Sequence, residues 1–392
     1  MTCPHCGDEA EFEGYRLLKH VRTLLGEIVY ERAYYACPHC HHGHCPTDVE
    51  LRIESTQTLG YREVLALAGV HEAFATAAEK LVHRLTGLTA SASSVQRVTE
   101  VVGEMISKAR EQSIPLQESP RTWDWNRDAN GKKVAGLSLD LTSVAQQGEH
   151  GEKREGRMPL VGSIFNPASA LAPQTRRAHA IRDIHYVAGL MSLEQMSRTL
   201  RDEAQAVGLA QAEVVLVLLD GGAGLEDCAL NAVSGLSQET VLILDFHHAH
   251  DHLVEFAKVF CAETDTRAHQ VSQWSTLLQE QGGRALIETL SRLDLTDRSE
   301  TVRESHRQLL GYYRNNSHRM DYPRYLKNGW PIGSGVIESA CKRIIARRQK
   351  GPGMRWREPG TSQVAHARSL YFSSDHRWNY FWSHLAGRNR QT

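Results

Sequence analysis

Three carboxylates stand where strands would deliver them. Glu213-Val-Val-Leu-Val-Leu-Leu-Asp220 is an apolar run ending in an acid, followed by Gly221-Gly222. Thr240-Val-Leu-Ile-Leu-Asp245 repeats the device, and Val134-Ala-Gly-Leu-Ser-Leu-Asp140 precedes both. Short apolar runs of this length read as buried strands, and acids at strand tips make a site at the edge of a sheet. Neighbouring carboxylates repel unless a cation lies between them. Oxygen donors suit Mg2+ or Mn2+, and a pair of such ions can activate one oxygen and stabilise another in phosphoryl transfer. A further acid, Glu338, follows Pro331-Ile-Gly-Ser-Gly335 in the first turn of an expected helix whose buried stripe is Ile337, Cys341, Ile344 and Ile345. Lys342, Arg343, Arg347, Arg348 and Lys350 give that helix a basic face suited to phosphates. Blander readings stay open: turn chemistry for the strand-end acids, helix-dipole complementation or an i, i+4 pair with Lys342 for Glu338.

A second chemistry is thiolate. Cys3-Pro-His-Cys6 and Cys37-Pro-His-Cys40 are two C-x2-C pairs, and each can point two sulfurs at one tetrahedral Zn2+. Between them, Tyr15–Leu18, Val21–Leu25, a turn at Gly26 and Ile28–Tyr35 read as strands. Two knuckles flanking a hairpin make a zinc ribbon, a unit too small to fold without its metal. The other reading, a disulfide or redox pair, is disfavoured by an expected cytoplasmic setting. Cys228, Cys261 and Cys341 are scattered and read as small buried hydrophobes.

Other elements must position these groups. Residues 55–112 read as helical: Ala73–Leu85 ends near Gly87, a C′ residue. Ser93 and Gln96 read as a capping box opening a helix through Val95, Val98, Val101 and Val102. Helix, short turn and helix is a helix-turn-helix-like pattern, with Gln96, Arg97 and Glu100 on the exposed face. An ordinary pair of packed helices is the plain alternative. Residues 113–132 read as a linker. From 133 the pattern becomes mixed α/β, with a strand at Met158–Phe165 and a helix across Leu190–Gly208. Residues 253–320 read as helical, with Trp274, Leu277, Leu278, Leu286 and Leu290 as core. The run His247-His248-x-His250-x-His252 could be a separate metal cluster, yet a helix would splay 248 and 252 away from 247 and 250. Trp378-Asn-Tyr380-Phe381-Trp382 reads as an aromatic packing helix.

The 392-residue chain has 45 Lys+Arg against 46 Asp+Glu, so any nucleic-acid binding must come from local patches. Hydrophobic residues at 41% and charged residues at 23% exclude a wholly disordered chain. The longest apolar run is far short of a membrane span, and the N-terminus lacks a secretory stretch, so a cytoplasmic protein is expected.

Asp220-Gly-Gly, Leu244-Asp245-Phe-His-His248 and Pro331-Ile-Gly-Ser-Gly-Val-Ile-Glu338 resemble the signature blocks of bacterial insertion-sequence DDE transposases. The similarity is to the Kra type, distantly related to Mutator-like enzymes. Lys350-Gly-Pro-Gly-Met-Arg-Trp356, Arg154-Glu-Gly-Arg-Met-Pro-Leu-Val-Gly, the Leu85-to-Glu100 stretch and the ribbon fit as well. The resemblance implies an RNase H-like core whose metal-binding carboxylates are Asp140, Asp220 and Glu338. The Asp-Gly pair expected after the first Asp is absent here, where Asp140 is followed by Leu141. Asp245 and His248 match the D-x2-H element of Mutator-like relatives, which implies a supporting or DNA-facing role.

The expected architecture is therefore a zinc ribbon over residues 1–50 and a helical DNA-binding domain over 55–112. The RNase H-like core begins at 133–250, is interrupted by a helical insertion at 251–325, and ends with the Glu-bearing helix and a basic, aromatic tail at 326–392. The resemblance implies a Mg2+- or Mn2+-dependent transposase that cleaves element ends and joins them to target DNA. Its ribbon, held by Zn2+ on Cys3, Cys6, Cys37 and Cys40, and its helices (Gln96, Arg97) would bind terminal inverted repeats. Lys342, Arg343, Arg347, Arg348 and Arg355 would grip phosphates. A homo-oligomer is expected because two ends are joined, with nucleoid-associated cytoplasmic placement and no membrane. Two rivals remain: a catalytically inactive, transposase-derived DNA-binding regulator, and a His/Asp-centred metallophosphohydrolase.

Overall fold

The computed structural model describes residues 1–53, 55–118, 121–169, 181 and 183–386, and it is mixed α/β. The chain divides into two compact units. The first holds residues 1–118, 362–371 and the segment from 376 onward; the second holds 119–361 and 372–375.

The first unit opens with strands β1 (Glu11–Thr23) and β2 (Gly26–Ala36), paired antiparallel, with a short β3 (Gly43–His44) on β2. The two strands expected before Gly26 are one, and Leu24-Leu25 is the tip. Thr23 Oγ1 donates to Gly26 O and accepts from Leu25 N, and Gly26 sits at φ +111°, a conformation that favours glycine. One face of the ribbon is fastened by Asp48, which accepts from Lys19 Nζ at 2.6 Å, Tyr30 Oη at 2.5 Å and Arg32 Nη1.

The same unit contains helices α1 (Leu59–His71) and α2 (Ala92–Glu111), with a helical stretch between them that runs Phe74–Thr76, Ala77–His83 and Arg84–Thr86. That stretch ends where expected, with Gly87 left-handed at φ +72°. The cap of α2 is not Ser93 but Ser91, whose hydroxyl accepts from Ser94 N at 3.1 Å; Gln96 instead donates to Glu100 one turn on. The competing serine is two residues earlier, and local hydroxyl chemistry cannot separate such neighbours from sequence. Helices α1 and α2 approach closely at Gly69, where a Cβ would lie 2.1 Å from Thr99 Oγ1. Val95, Val98, Val102 and Ile106 pack with Leu65, Leu370, Trp378, Phe381 and Trp382 in one core, so the C-terminal aromatic segment is packing material.

The second unit is built on a five-stranded sheet. Its strands are β4 (Val134–Leu141), β7 (Leu160–Phe165), β8 (Ile184–Gly189), β9 (Val214–Leu219) and β10 (Glu239–Leu244), in spatial order β10-β9-β4-β7-β8. Strands β4, β7 and β8 run as an antiparallel meander; β9 joins β4, and β10 joins β9, in parallel. Parallel neighbours need a crossover, and α3 (Leu193–Ala206) and α4 (Leu225–Val233) supply it on one face. Leu137, Leu139, Val215, Val217 and Leu219 meet Met196, Leu200, Ala229 and Val233 there. Helix α3 opens with a full capping box, Ser192 with Gln195. Residues expected as linker are partly structural: Trp123 and Trp125 are buried in this same core. A small hairpin, β5 (Val144–Gln147) with β6 (Lys153–Arg157), is an addition that sequence did not reveal. After β10 come α5 (Phe246–Phe260), α6 (Thr264–Ser291) and α7 (Glu300–Asn316). Helix α6 breaks at Gly282, φ +83°. Trp274, Leu278, Leu286 and Leu290 are buried as expected, whereas Leu277 is only half-buried at the edge of that stripe. Among the described residues no helix is long and apolar enough to cross a membrane.

Candidate metal centres

The cysteine cluster is the clearest site. Cys3, Cys6, Cys37 and Cys40 place their sulfurs within 4.8 Å of one another, with Cys3 to Cys40 at 3.6 Å and Cys6 to Cys37 at 3.5 Å. Zn–S bonds of about 2.3 Å in a tetrahedron give an S···S edge of about 3.8 Å, close to those separations. Each C-x2-C folds into a tight turn: Gly7 N donates to Cys3 O and His41 N to Cys37 O. His5 N also points at Cys3 Sγ, 3.4 Å away. The four residues can hold a structural zinc. Cys45 is buried apart from them.

The carboxylates come from the second unit. Ser138 pairs with Leu218 in the parallel β4–β9 ladder, and the same register carried two residues on sets Asp140 beside Asp220. Side chains alternate along a strand, so Asp140 projects from the face opposite Leu137 and Leu139. Glu338 arrives on α8 (Gly335–Ala340), which packs against β4 and β7. This helix runs into a wider, π-helical turn at Cys341–Ala346 and ends with Arg347–Gln349. Ile337, Ile344 and Ile345 are buried as expected, and Cys341 lies with them.

Asp140 is half-buried and its two oxygens have separate partners. Oδ1 accepts from Leu141 N at 2.6 Å and Oδ2 from Cys341 Sγ at 3.4 Å. Burial raises its carboxyl above the usual range; the backbone bond opposes this, and the charges of Asp220 and Glu338 add to the rise. Asp220 Oδ1 accepts from Gly222 N at 3.0 Å, and Glu338 is exposed with Oε1 accepting from Ser334 Oγ at 3.2 Å. The charges of Asp220 and Glu338 thus reach Asp140. The three acids do not gather within 4.8 Å as the cysteines do.

Asp245 is 1% exposed and caps α5, accepting from His248 N at 2.7 Å through Oδ1. Its other oxygen accepts from Ser334 N. Asp245 thus holds the Gly-Ser-Gly turn, and Ser334 in turn touches Glu338. The His248 side chain does not join the carboxylates' hydrogen bonds; its ring lies edge-on to His252, whose ring is tilted against Tyr312 with centroids 3.8 Å apart. The remaining histidines diverge. His247 packs beside Gly333, and His250 bonds Ser275 Oγ at 2.6 Å. Among the described residues no three of these groups gather as ion ligands.

The expected phosphate-binding cations separate. Lys342, Arg343, Arg347 and Arg355 are exposed. Arg343 lies 5.9 Å from the Phe372 ring. Arg348 is 2% exposed and sits 4.9 Å over Trp356, so it is not part of an accessible basic face. Its place in the helix explains this: it stands four residues after Ile344 and three after Ile345, on the buried stripe. Gln96 and Arg97 are exposed on α2 in the first unit.

Ser334, Cys341 and Arg319 were missed as supporting groups. Arg319 is buried, pairs with Glu226 at 3.0 Å and borders Gly221 beside Asp220. Tyr312 lies near the same acids: burial raises its phenol, Arg319 opposes, and the charges of Asp220 and Asp245 add to the rise. Cys341 was readable in principle, three residues after Glu338 on one face. No protein-family profile matches the chain, and no curated protein matches it.

Proposed function

We propose that this chain is a DNA transposase with an RNase H-like core, in which Asp140, Asp220 and Glu338 hold a pair of Mg2+ or Mn2+ ions for strand cleavage and joining. What supports this reading most is the arrangement of the three acids, two at the tips of adjacent parallel strands and one on a helix packed on the same sheet, with Asp140 raised first by burial and further by the charges of Asp220 and Glu338. Carboxylates held near one another repel, and divalent cations would offset that repulsion. Further support comes from the sheet, a three-stranded antiparallel meander extended by two parallel strands, compatible with an RNase H-like core. Two of the signature blocks carry Asp220 and Glu338 themselves.

The bound ions would supply an activated oxygen nucleophile and stabilisation of the leaving oxygen. The chain's own groups hold the acids in place. Asp245 fixes the Ser334 backbone, and Ser334 orients Glu338. Gly222 N orients Asp220, and Leu141 N with Cys341 orients Asp140. Lys342, Arg343, Arg347 and Arg355 are the exposed cations that would neutralise phosphates. The zinc ribbon and α2, with Gln96 and Arg97, would bind the terminal repeats, and a homo-oligomer would bring two ends together.

The direct test is a labelled element-end duplex incubated with the purified protein and Mg2+ or Mn2+, beside a small phosphoester. Wild type should nick the duplex, and Asp220→Ala should bind it without cutting. Retained cutting in that variant would remove Asp220 from the site. Binding without cutting by wild type would favour the regulator. Hydrolysis of the phosphoester alone would favour a phosphohydrolase, a reading weakened by the divergence of the four histidines.

A further inference from the structure

We infer that Cys341 is a positioning residue for Asp140, and that its thiol hydrogen bond raises the affinity of the carboxylate site for divalent cations. This rests on the metal-site reading above. The geometry is specific. Cys341 is buried at 8% exposure, one turn after Glu338 on the helix that packs against β4. Its Sγ lies 3.4 Å from Asp140 Oδ2, while the main-chain amide of Leu141 occupies Oδ1. With one donor on each oxygen, the carboxylate cannot swing about its χ2 axis without losing a partner. A lone pair on each oxygen remains for an ion.

The position in the helix reinforces this. Cys341 begins the wide turn Cys341–Ala346. An extra residue per turn at that point re-aims side chains, a feature often found at functional sites. One helix therefore brings both a candidate ligand, Glu338, and a hydrogen-bond partner for a second ligand on a different strand. Pinning Asp140 in this way lowers the cost of ordering it when a cation arrives. A plain core cysteine would be replaceable by any residue of its volume. A positioning cysteine is replaceable only by a residue that donates a hydrogen bond.

The experiment compares Cys341→Ala and Cys341→Ser in the zinc-loaded full chain. Both replacements are small, and serine alone keeps a donor. Mn2+ binding is read by the loss of the free-ion paramagnetic resonance signal, with Asp220→Asn as the control for the site. Partners of metal ligands typically change affinity by about 10–100-fold; a thiol is a weak donor. The expected loss for Cys341→Ala is therefore about tenfold, with Cys341→Ser within roughly threefold of wild type. Equal affinities for the two variants overturn the inference. If wild type and Asp220→Asn bind Mn2+ alike, the metal-site reading fails instead. The infrared S–H stretch of Cys341, identified by its disappearance in Cys341→Ser, then decides the remaining point. A band that moves on Asp140→Asn upholds the thiol–carboxylate bond, and an unmoved band overturns it.

Discussion

Replacing Asp245 by alanine removes the cap of α5 and the bond that ties α5 to the turn before Glu338. The carboxylate accepts from His248 N at the start of α5 and from Ser334 N, and it is 1% exposed. Loss of the helix cap costs about 1 kcal/mol. The buried Ser334 amide loses its acceptor, which costs about 1–3 kcal/mol. The total is about 2–4 kcal/mol. Asparagine keeps one acceptor oxygen for two donors, so Asp245→Asn should lose about half as much. Urea unfolding of the second unit, followed by Trp fluorescence, reads the total. Amide exchange at Ser334 reads the local part, where a loss of about 2 kcal/mol corresponds to roughly thirtyfold faster exchange. Unchanged unfolding and unchanged exchange in Asp245→Ala would refute the idea that this carboxylate holds the turn.

Chelation should release one zinc per chain and unfold the ribbon while the circular dichroism of the sheet unit persists; Cys37→Ser should do the same without a chelator. Arg348→Ala should lower stability by about 1–3 kcal/mol through lost packing on Trp356, read by thermal melting, whereas exposed Arg347→Ala should leave melting unchanged and weaken duplex binding and its salt dependence by about one phosphate contact. Asp140 has a raised carboxyl, so the folded state holds its proton more tightly than the unfolded state does. Stability from this group is present at low pH and falls as pH rises from the ordinary value of 3.8 through the raised one. Without added divalent ions, Asp140→Asn should therefore melt higher than wild type at pH 7, and the gap should close below about pH 4.

The sheet was legible where burial on both faces writes a continuous apolar run. Val214–Leu219 reads as a strand for that reason, Val134–Leu139 from its apolar residues around Gly136 and Ser138 with an acid at the end, and the acids that follow are read with them. Strand β8 was missed although Ile184–Gly189 is fully buried, because His185 and Gly189 interrupt its apolar run. The β5–β6 hairpin was invisible because Lys153–Arg157 is exposed and polar, with no periodic signal. Arg348 shows the opposite failure. Its spacing places it on the buried stripe while its charge suggests the surface, and in the structure its guanidinium lies over the Trp356 ring. The links from Asp245 to Ser334 and from Cys341 to Asp140 join residues 89 and 201 positions apart. Contacts at that separation depend on the tertiary path and leave no local trace.

The most direct measurement is the anomalous scattering of a crystal soaked in Mn2+. Two peaks about 4 Å apart are expected, each about 2.1–2.2 Å from oxygens of Asp140, Asp220 and Glu338, and both absent from Asp220→Ala. Peaks elsewhere, or none within coordination distance of these three carboxylates at saturating Mn2+, would contradict the metal-site reading.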